Sequence, residues 1–365
     1  MPDGMTWIAV ASGDIRRFAP KGLDCSAADP VPEDAWMAQG SLVVEAQLPP
    51  MQVPHHLLRL TRAGPSGIHL SLMALPGGAV VLVVEQGSQM LHLMVDGAET
   101  GRLTDVRISY AWDLAARTAR LALERPDLDR PQTARGAAPS PLRLRHARTI
   151  VQDNDQSRVS GHVTWLAVSS VVEPIGPMPG LSPEAPVRTP DRYVAAGDLR
   201  RGDLITATDG ETHPILHVLR RTVPALGSLR PLCLKSPSFG LRQDIRVSSS
   251  QGLILGGSQV EYLFGSETVE APASHFLGPA AMPATAPGRV LVDYVQFVLP
   301  RPCALDVAGA ALKSLNLGRM RRRDCDLNDS LLRNIPRDWL PEHPGANRPC
   351  LTPFDAAVLS EYRVA

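Results

Sequence analysis

The stretch Ser41-Leu-Val-Val-Glu-Ala-Gln-Leu48 opens a series of short β-segments and sets the reading of the whole chain. Working outward, the series continues with Leu57–Leu60, Ile68–Met73, Ala79–Glu85, Met90–Val95, Val106–Trp112 and Thr118–Glu124. Several of these alternate apolar with polar residues, and Gly-Pro-Ser-Gly, Pro-Gly-Gly and Asp-Gly turn signals divide them. Such a pattern predicts an antiparallel β-sandwich. Gly161-His-Val-Thr-Trp-Leu-Ala-Val168 reads as a late strand returning to it, after a Pro/Arg-rich stretch, Arg125–Arg148, that reads as a surface loop.

Composition narrows the classes. The 365 residues are 44% hydrophobic and 4% aromatic, and 37 basic side chains balance 37 acidic ones. A neutral chain offers no general basic field for nucleic acid. Only Lys21, Lys235 and Lys313 are lysines, so the basic set is almost all arginine, read as codon bias. The longest aliphatic run, Ala79–Val84, is far short of the roughly 20 residues that span a bilayer, so no membrane insertion is expected. The first residues lack a basic segment ahead of a long apolar one, so no cleaved signal is expected and a cytoplasmic location is the default, with secretion by a non-classical route left open. Cys25, Cys233, Cys303, Cys325 and Cys350 are widely spaced and odd in number, which indicates neither a zinc knuckle nor a disulfide framework.

Ile108-Ser-Tyr-Ala-Trp-Asp113 followed by Ala119-Arg-Leu-Ala-Leu-Glu124 resembles the concanavalin-like or laminin-G-like jelly roll. The resemblance covers about Trp7–Ser170 and rests on strand order. It implies lectin-like carbohydrate binding as one alternative function, although few exposed tryptophans are expected and Trp112 and Trp165 read as core. Val171-Val-Glu-Pro-Ile-Gly-Pro-Met-Pro-Gly180 reads as an interdomain linker.

Beyond it, Leu199-Arg-Arg-Gly-Asp-Leu-Ile205, Glu261-Tyr-Leu-Phe-Gly265 and Asp293-Tyr-Val-Gln-Phe-Val-Leu299 follow in an order that resembles the Hint (hedgehog/intein) domain, in its bacterial version. The expected organisation is a jelly-roll-like sandwich over residues 1–170, the linker at 171–180, a Hint-like all-β domain at 181–318, and a tail at 319–365 with a short helix packing on that domain. The fold class is mainly β.

The resemblance also implies a chemistry. In Hint domains the first residue, a cysteine or serine, attacks the preceding carbonyl and converts a peptide bond to a thioester or ester, while histidines of later motifs protonate the departing nitrogen. Residue by residue, the match places Gly180 where the nucleophile belongs and Gln251 where the first histidine belongs. It places Gly252 where an arginine usually follows, and Gln296 and Pro302 at later histidine positions. Glycine has no side chain to attack with, and glutamine delivers no proton at neutral pH. Ser248 alone remains as a polarising hydroxyl. The expectation is a Hint scaffold that has lost autoprocessing and acts as a non-catalytic binding or structural module. The alternative is an active acyl shift through Ser182, with His275 as the acid.

No G-x-S-x-G, H-E-x-x-H, Walker or G-x-G-x-x-G signature is present. Adjacent His55 and His56 point to opposite faces of a strand, and His213 and His217 read as a solvent-exposed pair. No cofactor and no metal are expected. A protein or glycan partner is left open, and nucleic acid is not expected. Arg319–Arg323 reads as solvated charge, and Leu351–Tyr362 as an amphipathic helix starting at Thr352 or Pro353 and docking on the Hint-like body.

Overall fold

A computed structural model describes residues 7–13, 15–25, 31–64, 67–97, 101–126, 128, 130–152, 155–284, 288–343, 345 and 348–364. The chain divides into two units, Met1–Gly176 and Pro177–Ala365.

In the first unit the strands run β1 (Trp7–Ser12), β2 (Ile15–Phe18), β3 (Gln39–Leu48), β4 (His55–Arg62), β5 (Ile68–Ala74) and β6 (Val80–Gln86). They continue as β7 (Gln89–Val95), β8 (Thr104–Asp113), β9 (Thr118–Glu124) and β10 (Gln132–Gly136). Helix α1 (Leu144–Gln152), β11 (Ser157–Val159) and β12 (Val163–Ser169) complete the unit. Seven strands pair in the order β10-β9-β8-β3-β12-β1-β2 and five in the order β11-β4-β5-β6-β7, every ladder antiparallel. The jelly-roll-like sandwich is therefore the fold of this half. Its two sheets share one apolar layer that includes Val44, Leu58, Leu70, Leu82, Ile108 and Leu121. Alternation produces this arrangement because successive side chains leave opposite faces of a strand, so one apolar row per sheet reaches the shared core. Trp112 and Trp165 are both buried, and the Trp112 indole donates to the Met37 carbonyl at 2.9 Å.

The stretch Arg125–Arg148 is not a surface loop. It contains β10, paired along β9, and the first turns of α1, and Leu142, Leu144, His146 and Ala147 are buried. Leu144, Ala147, Ile150 and Val151 recur at helical spacing, a stripe that docks α1 onto the sandwich. The Pro/Gly segment also differs from a free tether. Ser41 Oγ donates to the Val171 carbonyl at 2.9 Å, Arg120 donates to the Glu173 carbonyl at 2.7 Å, and the Gly176 N–H donates to Glu124 at 3.0 Å. Residues 171–176 are thus bonded into the first unit.

In the second unit the strands are β13 (Pro186–Arg188), β14 (Tyr193–Ala195), β15 (Leu204–Thr206), β16 (Thr212–Pro214), β17 (His217–Pro224) and β18 (Pro231–Leu234). Next come β19 (Ile245–Ser248), β20 (Gly252–Gly256), helix α2 (Ser258–Phe264), β21 (Thr268–Pro272) and β22 (Ala281–Pro283). The order ends with β23 (Leu291–Val298), β24 (Ala304–Val307), β25 (Ala310–Lys313), α3 (Asp324–Asn328) and α4 (Pro353–Val364). A six-stranded sheet, β14-β13-β24-β25-β20-β21, is accompanied by the pairs β15-β16 and β17-β23 and the triplet β19-β18-β22. Arg201-Gly202-Asp203 forms the turn ahead of β15, with Gly202 at a φ of 93°.

The histidine reading changes, and the tail proves to be packed. His213 is buried opposite Ile205, while His217 is half-buried and stacks on Trp339. Leu327, Leu332 and Leu340 form a second small core with Leu219 and Val298, so the chain after residue 319 is built into the unit, and Arg321 and Arg322 both pair with Glu342. Trp36 and Trp339 are half-exposed, and the other three tryptophans are buried. At the other end, Leu351, Ala356 and Leu359 sink into the main core and hold α4 there. The Thr352 N–H donates to the Asp355 carboxylate and the Asp355 N–H to the Thr352 hydroxyl, the reciprocal pattern of a capping box.

Candidate functional site

The site is built where the chain enters the second unit. Leu181 forms an antiparallel bridge to Val247 of β19 on one side and to Val295 of β23 on the other. Four backbone bonds fix the entry: Leu181 N–H to Val295 O at 3.1 Å, Val295 N–H to Leu181 O at 2.8 Å, Ser182 N–H to Arg246 O at 3.1 Å, and Ser248 N–H to Gly180 O at 2.7 Å. An extended segment between two strands exposes few backbone polar groups, which is why Pro179 and Gly180 tolerate burial.

This entry brings Gly180, Ser248, Gln251 and Gln296 together. A Cβ on Gly180 would overlap the Gln251 carboxamide oxygen, with Gln251 Cδ only 3.1 Å away. Gln251 is buried, and its Nε2 donates to the carbonyls of Lys313 at 2.9 Å and Gly252 at 3.1 Å. Its oxygen accepts from Gln296 Nε2 at 3.3 Å, and the Gln296 oxygen accepts from the Phe297 N–H at 3.1 Å. Each amide nitrogen and oxygen therefore has a hydrogen-bond partner in the burial that would otherwise make it costly. Ser248 is buried, with its hydroxyl 3.2 Å from that of Ser250. Gly252 lies under Lys313, whose ammonium pairs with Glu270 at 2.7 Å.

The remaining positions stand apart. Pro302 lies beyond the end of β23, in the loop before β24, and not on the strand that carries Gln296. Its neighbour Cys303 is buried, hydrogen-bonded through its backbone to Ser314, and burial pushes its thiol up to about 11. Ser182 donates its hydroxyl to Glu184, and this bond holds the Glu184 carboxyl below its usual range. His275 sits in a short 3-10 turn, Ala273–Phe276, with Nδ1 against the Leu351 carbonyl at 3.1 Å, and burial lowers its basicity. Among the described residues no group of three or more His, Cys, Asp or Glu is placed to hold a metal ion. No helix among them is long and apolar enough to cross a membrane.

Fold and site together define a mainly β domain whose first residues are clamped between two strands, over a buried cluster contributed by a later turn and a later strand. Residues 179–319 match the family model described as Hint domain, and this stretch of the second unit is accordingly a Hint domain. No curated protein matches the chain. Among solved structures, the MchDnaB-1 intein is 15% identical over 37% of this chain and 98% of its own, with a TM-score of 0.25. The Ruminococcus gnavus IT-sialidase CBM40 bound to alpha2,6 sialyllactose is 13% identical over 36% of this chain and 75% of its own, with a TM-score of 0.26. The LG1-3 region of the laminin alpha2 chain is 9% identical over 86% of this chain and 69% of its own, with a TM-score of 0.27. At such identities and TM-scores these likenesses bear on no residue of this chain.

Proposed function

We propose that the Hint domain of this protein no longer performs the acyl shift and serves as a non-catalytic binding or structural module. The observation that carries this reading is the glutamine carboxamide lying where a side chain on residue 180 would have to be. An N–S or N–O shift needs a nucleophilic atom on the residue that supplies the leaving nitrogen, and an acid to protonate that nitrogen. Gly180 carries no such atom. The groups converging on it, two carboxamides and a hydroxyl, do not change protonation near neutral pH.

The Ser182 route is disfavoured by the same geometry. Its target carbonyl, on Leu181, is engaged by the Val295 N–H, and its own N–H is bonded to Arg246. Its hydroxyl is bound by Glu184, a carboxylate that accepts the proton and has none to give. His275 is committed to Leu351. Intact-mass spectrometry of the purified chain, with and without dithiothreitol or hydroxylamine, is expected to show one uncleaved species under all conditions. A fragment ending near residues 179–182, abolished by Ser182→Ala, would overturn the reading.

A further inference from the structure

A cleft of about 390 Å³ opens on the first unit, far from the Hint chemistry in both sequence and role. Loops of both sheets build it. Gln86 and Gln89 come from the β6–β7 hairpin, Leu114 and Arg117 from the β8–β9 turn, Trp36 from the approach to β3, and Pro139 from the segment after β10. Its size falls within the range of small-molecule sites, about 300–1,000 Å³, and apolar walls carrying a few polar groups are their usual lining.

Three features give the lining a chemical meaning. Trp36 is 50% exposed, and the Arg143 guanidinium sits 3.9 Å from its ring centroid while donating to the Asp34 carbonyl. The indole is thereby held in place at an exposed position, where an aromatic face offers apolar contact to the C–H face of a sugar ring. Gln86 donates to the Pro141 carbonyl at 2.7 Å, which fixes its amide and leaves its oxygen available, and Gln89 is exposed beside it. Amides of this kind match hydroxyl groups as donor and acceptor.

Arg117 supplies the charge. No carboxylate lines the cleft, and among the described residues Arg117 has no ion-pair partner. Asp113, at the head of the same turn, is occupied by the Ala116 N–H at 2.9 Å. Arg117 also has a φ of 54°, a left-handed conformation that is strained for a side-chain-bearing residue and nearly free for glycine. A guanidinium kept at a position where glycine would be cheaper, and left without a partner at the mouth of a cleft, is the pattern of backbone strain retained at a binding site. Guanidinium groups bind carboxylates through paired, charge-assisted hydrogen bonds.

The geometry points to this cleft as a binding site for an acidic saccharide, a sugar unit that bears a carboxylate. Trp36 contacts the ring face, Gln86 and Gln89 bind hydroxyls, and Arg117 binds the carboxylate. The site goes beyond the reading of the Hint domain and does not depend on it, so a cleavage fragment would leave it standing.

Isothermal titration of the full-length chain with trigalacturonate, neutral galactotriose and acetate tests it. The acidic trimer is expected to bind, with the neutral trimer and acetate each weaker by about tenfold or more. Arg117→Gly removes the charge and relieves the strain, so it is expected to weaken the acidic trimer by about tenfold without lowering the thermal midpoint. Trp36→Ala is expected to abolish binding. Absence of binding by the acidic trimer overturns the proposal, as does equal affinity for the neutral trimer, for acetate or for hexaglutamate, or an unchanged affinity in Arg117→Gly.

Discussion

At Gly180 a single hydrogen atom decides what the Hint domain can hold. The Gln251 carboxamide fills the space a side chain would need, so Gly180→Ala is an overpacking change in a buried, fully bonded site. It is expected to cost about 1–3 kcal/mol, read as a lower urea midpoint. Gln251→Ala removes the colliding atom, so the double variant should be less destabilised than the sum of the two single variants. Strict additivity would mean that the two residues do not meet. A second residue-scale consequence concerns His146, buried on α1 and held neutral, with burial and then Arg145 lowering its pKa to about 4. A histidine whose folded pKa lies below its unfolded value stabilises the native state above about pH 6.5 and loses that stabilisation as pH falls toward 4. The first unit should therefore lose roughly 3 kcal/mol over that interval through this residue. His146→Gln should flatten the difference, and a pH profile identical to that of the wild type would exclude the effect.

Among the elements, α4 is the clearest case of packing outweighing propensity. Its helix is short, and Leu351, Ala356 and Leu359 tie it to the core of the second unit. Leu359→Ala is expected to destabilise that unit by about 2–5 kcal/mol, and Thr352→Ala, which removes the cap, by about 1 kcal/mol, both by denaturant titration. A wild-type midpoint in Leu359→Ala would mean that the helix does not dock. Strands and this helix were legible because their signals are local: alternation along β3 to β9, and Thr352 and Pro353 ahead of an apolar stripe. Helix α1 was hidden, although Leu144, Ala147, Ile150 and Val151 carry the right period, because the proline- and arginine-rich residues before it weigh toward a loop. His213 was misread for a related reason. A three-residue strand has too few positions to reveal which face is inward.

For the molecule as a whole, two apolar layers with no residue in common imply two unfolding events. Differential scanning calorimetry is expected to resolve two transitions, with Leu359→Ala lowering one and a fall in pH through His146 lowering the other. A single transition displaced equally by both changes would refute independent units.

The sequence by itself determined the β class, the order of the Hint motifs and the absence of a thiol at residue 180, because alternation, turn chemistry and residue identity are properties of neighbouring positions. Only the tertiary structure decided that Gly180, Gln251 and Gln296 share one buried site, that Pro302 does not lie on the strand carrying Gln296, and that Trp36 and Arg117 face one cleft. Those outcomes depend on which distant strands pair and in what register. That choice is made by burying the apolar rows of the whole chain at once, and no local stretch encodes it.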